Sequence, residues 1–376
     1  MRILFIIATS NFGGTENFLL NLIKGLASAG VTVGIVCPGN GIFKEELGNV
    51  FYIDTKKDGL FSSLGSILKI VAEFKPDIIH THLSRASYIG LYIRAICKIP
   101  VVANVHNLLG RSQEGYRQSS FGLPKYTDMV FKLLTIFGGK LIAVSDSVKE
   151  ALTADRIDTA KIKVIWNGTS FADLPVPERN NNLRNKHNIK DDQIVVGITC
   201  NVKKGKGQLL AVEAVALMPK EIRDKIKLVM IGRDFNDKYK ESIDQFVEEH
   251  SLQDSVIFAG VYTNMREIYA DIDIFLHPSF FETCSMAVIE AMSTAKPVVV
   301  SNISANSAIV DDNINGCLVE LDPPAIEAAL SKLISDPDMC AFLSANARSK
   351  AESDFSLKKM TSNYIDFYNS VLTRQP

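Results

Sequence analysis

Long hydrophobic runs are missing from this 376-residue chain. None approaches the roughly 18 consecutive apolar residues of a membrane-spanning helix, which excludes a helical span. The six cysteines, Cys37, Cys97, Cys200, Cys284, Cys317 and Cys340, form no C-x-x-C pair and have no histidine in metal-ligand spacing. That excludes a disulfide framework and a zinc module, and predicts a reduced cytoplasmic compartment. No export signal is expected. The opening "MRILFIIATSNFGGTE" has a short apolar run before a polar, glycine-rich turn, and reads as a first buried strand. Neither G-x-G-x-x-G nor a Walker A sequence occurs, so a dinucleotide fingerprint and a P-loop are excluded.

What remains is a globular composition, with 47% hydrophobic and 22% charged residues. The length predicts two domains. Net charge is −1, yet residues 1–170 hold 19 Lys/Arg against 13 Asp/Glu and the remainder 22 against 29. A basic first half predicts an anionic partner or an anionic membrane surface there, against drift of solvated charges.

Short apolar runs alternate with amphipathic helical patterns. "RILFIIA", "VTVGIVC", "PDIIH", "PVVANVH", "KLIAVS" and "KVIWN" read as buried parallel strands. A Pro/Asn-rich stretch without periodicity follows, and then "QIVVGIT", "IKLVMIG", "SVIFAG", "DIFLHPS", "KPVVVS" and "GCLVE". The pattern predicts an α/β protein of two Rossmann-like, doubly wound parallel-sheet domains facing each other across a cleft. The expected boundaries are 1–172, a linker at 173–190, 191–354, and a last helix at 355–376 whose pattern leaves its packing partner open, the first domain included.

In open parallel sheets ligands bind beyond the carboxyl ends of the strands, so the loops after strands carry the chemistry. "TSNFGGTENF" places Gly13 and Gly14 before a helix start, where bare backbone can approach an anion, with Glu16 in the first turn. The other reading is an ordinary tight turn. His106 ends the strand in "ANVHN", as a site residue or a hydrogen-bonded structural one; His80 and His82 in "DIIHTHLSRAS" read more readily as strand-end packing. "CNVKKGKGQ" offers Asn201 and the cations Lys203, Lys204 and Lys206 between glycines, as a diphosphate requires.

Glu282 and Glu290 stand eight positions apart in a run otherwise apolar or small. On a helix starting near Thr283 they lie about 80° apart in projection. Between them the first-turn amides of Cys284, Ser285, Met286 and Ala287 lack helical acceptors. Carboxylate, amide row and carboxylate match the hydroxyls, diphosphate and ribose of a nucleotide sugar; a cap and a surface Glu are the bland reading. Asp271 and Asp273 form a D-x-D at the amino end of their strand, away from that site, and read as structural.

The ordered set "FGGTE", "KPDIIHTH", "VHN", "VSDSVKE", "VIWNG", "KG", Glu282 to Glu290, "EAMSTAKPVVVS" and "NGCLV" resembles the retaining GT-B glycosyltransferases of family 4 over nearly the whole chain. The resemblance implies that Gly13 and Gly14 lie by donor phosphate and acceptor, and His106 near the transferred sugar. It implies that Lys206 binds the diphosphate, Glu282 the donor-sugar hydroxyls, Cys284 to Ala287 sugar and phosphate through backbone amides, and Glu290 the ribose. Asn201 stands where many relatives have an arginine, so either Lys203 supplies that charge or phosphate binding is weaker.

The implied function is retaining transfer of a hexose or N-acetylhexosamine from a nucleotide sugar, UDP favoured, to a lipid-linked, lipopolysaccharide or other glycan acceptor. No cofactor or metal is expected, because lysines and amides stabilise the leaving diphosphate. Arg111, Arg117, Lys125 and Lys132, interleaved with apolar residues, are expected on the acceptor or membrane side with Glu16 and His82. The enzyme is expected in the cytoplasm or on the cytoplasmic membrane face, without a nucleic-acid partner. The competing readings are a nucleotide-sugar epimerase on the same fold and a non-enzymatic sugar-binding protein.

Overall fold

The computed structural model describes residues 1–8, 14–38, 43, 46–47, 51–53, 63–106, 124–234 and 238–373, without the side chains of 51–53 and 124–128. The chain divides into two compact units, Met1–Gly168 with Leu357–Pro376, and Thr169–Ser356.

In the first unit a seven-stranded parallel sheet runs in the order β3-β2-β1-β4-β5-β6-β7. The strands are β1 (Arg2–Ile7), β2 (Thr32–Pro38), β3 (Phe51–Ile53), β4 (Ile78–His82), β5 (Val101–Val105), β6 (Lys140–Ala143) and β7 (Ile162–Val164). Strands β4 and β5 are buried at every position, so they show no alternation of exposure, and their polar residues His80, Thr81, His82 and Asn104 are buried with the apolar ones. Helix Gly14–Ser28 buries Phe18, Leu19, Leu22, Ile23 and Leu26 along one stripe. The terminal helix Leu357–Thr373 packs against it, burying Met360, Thr361, Tyr364 and Tyr368. The helices meet closely at Gly25, where an added Cβ would lie 2.3 Å from Thr361 Oγ1.

The second unit holds a six-stranded parallel sheet in the order β10-β9-β8-β11-β12-β13. Its strands are β8 (Ile194–Thr199), β9 (Ile226–Ile231), β10 (Val256–Gly260), β11 (Ile274–His277), β12 (Val298–Ser301) and β13 (Cys317–Val319). In both sheets the strand order reverses once, between β1 and β4 and between β8 and β11. Those reversals are the places where a doubly wound sheet opens a crevice for ligands.

The unit boundaries, 168/169 and 356/357, differ from the expected 172/173, 190/191 and 354/355. Residues 173–190 are tied to the second unit. Asp271 accepts backbone N–H groups of Asn180, Asn181 and Leu183 at 3.1, 2.8 and 2.8 Å, and a short helix follows at Asn182–Lys186. Backbone tethering of this kind leaves no hydrophobic periodicity. Among the described residues no helix is long and apolar enough to cross a membrane.

Candidate active site

The switch point of the second unit carries the densest polar constellation. After β8 the chain makes a short 3-10 turn at Lys204–Lys206, ending at Gly207 with φ +70°. A Cβ at Gly207 would stand 1.9 Å from the carbonyl oxygen of Pro278. Glycine therefore lets this loop lie directly on the loop after β11, where Ser279 Oγ and the Phe280 N–H donate to Gly205 O at 3.1 and 3.0 Å.

That lacing sets Lys206 against Glu282. Glu282 Oε1 accepts from Lys206 Nζ at 2.5 Å and from His277 Nε2 at 2.7 Å. Burial alone would raise the Glu282 carboxyl; the Lys206 ammonium and the His277 hydrogen bond overcome it and hold the group down at about 2. Burial likewise opposes the charge on Lys206, but the adjacent carboxylate wins and raises its pKa. The site thus holds a fixed anion and a fixed cation side by side.

Helix Met286–Ser293 begins later than the expected Thr283, because Ser285 is its cap. The Ser285 hydroxyl accepts from Val288 N–H and lies 3.2 Å from His277 Nε2. Met286 and Ala287 therefore open the helix, while Cys284 lies before it. Glu282 is on the preceding loop, so the 80° helical offset from Glu290 does not apply. Lys206, His277 and Ser285, not helical phase, set its place. Glu290 sits in the second turn, where Oε2 accepts from Tyr269 OH at 3.1 Å. Tyr269 also lies 2.7 Å from Thr199 Oγ1. Burial raises the Glu290 carboxyl to about 7 against the pull of that hydrogen bond.

Asn201 and Lys203 are exposed at the start of the lysine loop. Asn201 Oδ1 accepts from the backbone N–H of Arg233 at 3.3 Å, so its side chain braces the loop after β9. At the other end of β11 the D-x-D carboxylates are structural, as expected. Asp271 holds the three amides of 180–183, and Asp273 pairs with Arg179, with Arg184 at 2.5 Å and with Val195 N–H at 2.7 Å.

In the first unit His106 follows β5 and is 7% exposed. His82, expected on the acceptor side, is fully buried behind it, with Nδ1 2.9 Å from His106 Nε2. Burial lowers the pKa of His106 to about 4 and of His80 to about 3. Glu16 is buried in the first turn of its helix. Gly14 opens that helix, and among the described residues no atom lies within 4 Å of where a side chain would start. Gly13, Arg111, Arg117 and the Lys125 side chain lie outside the described residues; Lys132 is exposed.

Two sequence-family models divide the chain between them, Glycosyltransferase Family 4 at residues 12–172 and Glycosyl transferases group 1 at residues 179–350. The chain belongs to glycosyltransferase family 4. It is an enzyme of the hexosyltransferase class. The UDP-Gal:alpha-D-GlcNAc-diphosphoundecaprenol alpha-1,3-galactosyltransferase of Escherichia coli is 26% identical, over 94% of this chain and 93% of that one. The Staphylococcus aureus capsular polysaccharide biosynthesis glycosyltransferase CapM is 25% identical, over 85% and 84%. Anabaena HepE, solved in complex with UDP-glucose, is 21% identical and superposes with a TM-score of 0.83, over 98% of this chain and 100% of that one. The GT-B fold expected from sequence is thereby shown.

Three polar partners of this glycosyltransferase's site were not singled out in the sequence. His277 ends β11 much as His106 directly follows β5, so the same strand-end rule would have found it. Thr199 ends β8 and falls under the same rule, whereas Tyr269, on helix Met265–Asp271, reaches the site only through packing, and no local pattern marks it.

Proposed function

We propose that the enzyme transfers a hexose or N-acetylhexosamine, with retention, from a UDP-sugar to a lipid-linked or other glycan acceptor in surface polysaccharide synthesis. The observation that carries this is the pairing of Lys206 with Glu282 at a helix N-terminus, with Glu290 further along the same helix. Lys206 and the amides of Met286 and Ala287 suit a diphosphate. Glu282, held ionised, suits donor-sugar hydroxyls, and Glu290 suits the ribose. The UDP-Gal-dependent relative of Escherichia coli and the UDP-glucose complex of Anabaena HepE support the donor class, and the Staphylococcus aureus relative CapM supports a surface polysaccharide.

In the step we propose, the bond from the sugar's anomeric carbon to the diphosphate oxygen breaks, with its electron pair going to the diphosphate. Lys206 and the helix amides stabilise the charge that builds there. The acceptor hydroxyl attacks on the same face and its proton passes to a departing phosphate oxygen. The cation and amides supply the electrostatic role, so we propose activity without a divalent metal. A cytoplasmic setting, with contact to an anionic membrane face, belongs to the same reading. Screening nucleotide sugars by thermal shift, donor hydrolysis and product stereochemistry tests it. An inverted product, acceptor-independent epimerisation, binding without turnover, or activity lost to EDTA and restored by metal would each overturn the corresponding part.

A further inference from the structure

We infer that Tyr269 is a positioning residue for the donor: its hydroxyl holds Oε2 of Glu290 against the helix that carries it, so that Oε1 is left for the hydroxyls of the nucleotide's ribose.

Three elements converge on that phenol oxygen. Thr199 ends β8 at the switch point, Tyr269 lies on helix Met265–Asp271, and Ala287 and Glu290 are three residues apart on helix Met286–Ser293. Tyr269 OH lies 2.7 Å from Thr199 Oγ1, 3.1 Å from Glu290 Oε2 and 3.2 Å from Ala287 O. Positions three apart on a helix are neighbours, so one hydroxyl reaches the carbonyl and the carboxylate together. The ring itself is held firmly. It is fully buried, edge-on to Phe171 at 6.3 Å and tilted against Phe275 at 5.8 Å.

The protons fix the direction of the contact. An ionised Glu290 and the Ala287 carbonyl can only accept, and Tyr269 has one proton to give. The carboxylate is the stronger acceptor, so that proton goes to Oε2. Given to Ala287 or Thr199 instead, it would leave the phenol oxygen facing a carboxylate oxygen at 3.1 Å with no proton between them. Thr199 Oγ1 has Tyr269 as its described partner and donates to the phenol oxygen. Burial, then the Glu290 carboxylate, raise the Tyr269 phenol well above its usual value, so it stays a donor. Glu290 is half-buried, and its Oε1 makes no hydrogen bond with any described residue and is not sealed from solvent.

The other charged or titratable groups on the elements packed around this helix are engaged elsewhere. His277 of β11 donates to Glu282, and Arg348 of helix Pro337–Asp354 donates to Ser293 O at the far end of the helix. Arg266, Glu267 and Asp271, on the helix of Tyr269, bond to residues between 175 and 183. Asp173, on the turn Ser170–Asp173, makes no described hydrogen bond with Glu290. The Cys200 thiol after β8 is raised by burial to about 12 and is neutral. Tyr269 is therefore the group that couples directly to the Glu290 proton.

The ribose half of this inference rests on the proposed donor reading; the hold on Glu290 does not. The test is a carbon-13 NMR titration of the full chain labelled at its glutamate carboxyls, with Glu290 assigned through Glu290→Gln, beside calorimetry with uridine and 2′,3′-dideoxyuridine. The wild-type carboxyl should titrate at about 7, and uridine should bind more tightly than its dideoxy analogue. Tyr269→Phe keeps the ring and loses the donor. It should raise the Glu290 midpoint by about one pH unit and weaken uridine about tenfold near neutral pH, with the dideoxy analogue unchanged. A site merely loosened by poorer packing would lose both nucleosides alike and leave the titration in place. Thr199→Val should move the midpoint the same way by less, and Thr199→Ser should match wild type; this pair carries the test if Tyr269→Phe fails to fold. An unmoved or lowered midpoint in the Phe and Val variants would overturn the inference, as would equal loss of both nucleosides. If the wild type binds the two nucleosides equally, the ribose reading falls and with it the ligand assigned to Oε1, while the titration still decides whether Tyr269 holds Glu290.

Discussion

Lys206 Nζ and Glu282 Oε1 lie 2.5 Å apart, so the candidate diphosphate ligand and the candidate sugar ligand neutralise each other before any substrate arrives. Removing one should therefore release the other. Glu282→Ala should lower transfer by about tenfold to hundredfold, because sugar hydroxyls lose a charged acceptor worth roughly 1.5–3 kcal/mol. The same variant should bind UDP as tightly as wild type or more tightly, since Lys206 is no longer shared. Calorimetry with UDP beside a transfer assay checks both. A large loss of UDP affinity, or near-normal turnover in a folded variant, would sink this assignment.

Lys206→Ala should weaken UDP binding about tenfold or more and barely change uridine binding, because the lost charge serves phosphates alone. It also leaves Glu282 Oε1 with the His277 Nε2 hydrogen bond as its remaining partner among the described residues. Equal loss for uridine and UDP would argue against the phosphate role.

Much of this arrangement was legible from sequence. Twelve short apolar runs anticipated strands that the structure shows, because strands buried on both faces need no alternation to be seen. The three-residue strand Phe51–Ile53 offered too short a run. Lysine loop, carboxylates and strand-end histidine were visible as residue types in post-strand loops. Their pairing was not. Lys206 and Glu282 are 76 positions apart and meet because β8 and β11 are neighbours at the switch point. The helix start was misplaced by local pattern, since small apolar residues read as helical before Ser285 caps the true first turn. Tyr269 was invisible, being an ordinary core aromatic until its hydroxyl is placed.

Glu290 yields a pH prediction of definite sign. Its carboxyl is raised from 4.5 to about 7 in the folded protein. The native state therefore holds a proton that the unfolded chain releases between those values, and this contribution to stability is lost as pH rises toward 7. An ionised Glu290 is also the better acceptor for ribose hydroxyls. Uridine affinity should thus strengthen as pH rises through about 7. Glu290→Gln should flatten that dependence and raise Tm at alkaline pH. A pH-independent uridine affinity in the wild type would remove Glu290 as the ribose ligand.

The buried histidines act with the opposite sign. His80 and His106 are lowered from 6.5 to about 3 and about 4, and His82 falls well below its usual value, all chiefly by burial. Unfolding below about pH 6.5 lets these rings take up protons, so stability falls with acid through that window. Glu290 opposes them, but it is one carboxyl against three rings. Chemical denaturation should show lower stability at pH 5 than at pH 6.5, with net proton uptake on unfolding of roughly two. Equal stability at the two pH values would refute the buried neutral cluster.

Gly207→Ala tests the lacing of the two loops. The substitution places a methyl against Pro278 O at a backbone angle that disfavours a side chain. The loops must part, and the cost should exceed about 1 kcal/mol. We expect a lower Tm and a loss of UDP affinity resembling Lys206→Ala, because Lys206 is carried on the displaced loop. Unchanged Tm and affinity would show that the approach at Gly207 relaxes freely.

The last prediction concerns the membrane. On the helix Pro124–Ile136 and just beyond it, Lys132 is exposed beside Met129, Ile136 and Phe137, which are 43%, 66% and 59% exposed. Apolar side chains next to cations suit an anionic bilayer, where the charges attract and the apolar groups enter the headgroup layer. Binding to anionic vesicles should fall with salt, as charges are screened over a Debye length of about 8 Å at physiological ionic strength. Replacing Arg111, Arg117, Lys125 and Lys132 with Gln should remove that salt-sensitive part. Ile136→Ser with Phe137→Ser should remove the part that survives high salt. Both variants should still hydrolyse the donor, because Lys206, Glu282 and Glu290 belong to the other unit. Vesicle binding indifferent to salt and to both sets of changes would eliminate this surface as a membrane contact and leave the transferase assignment standing.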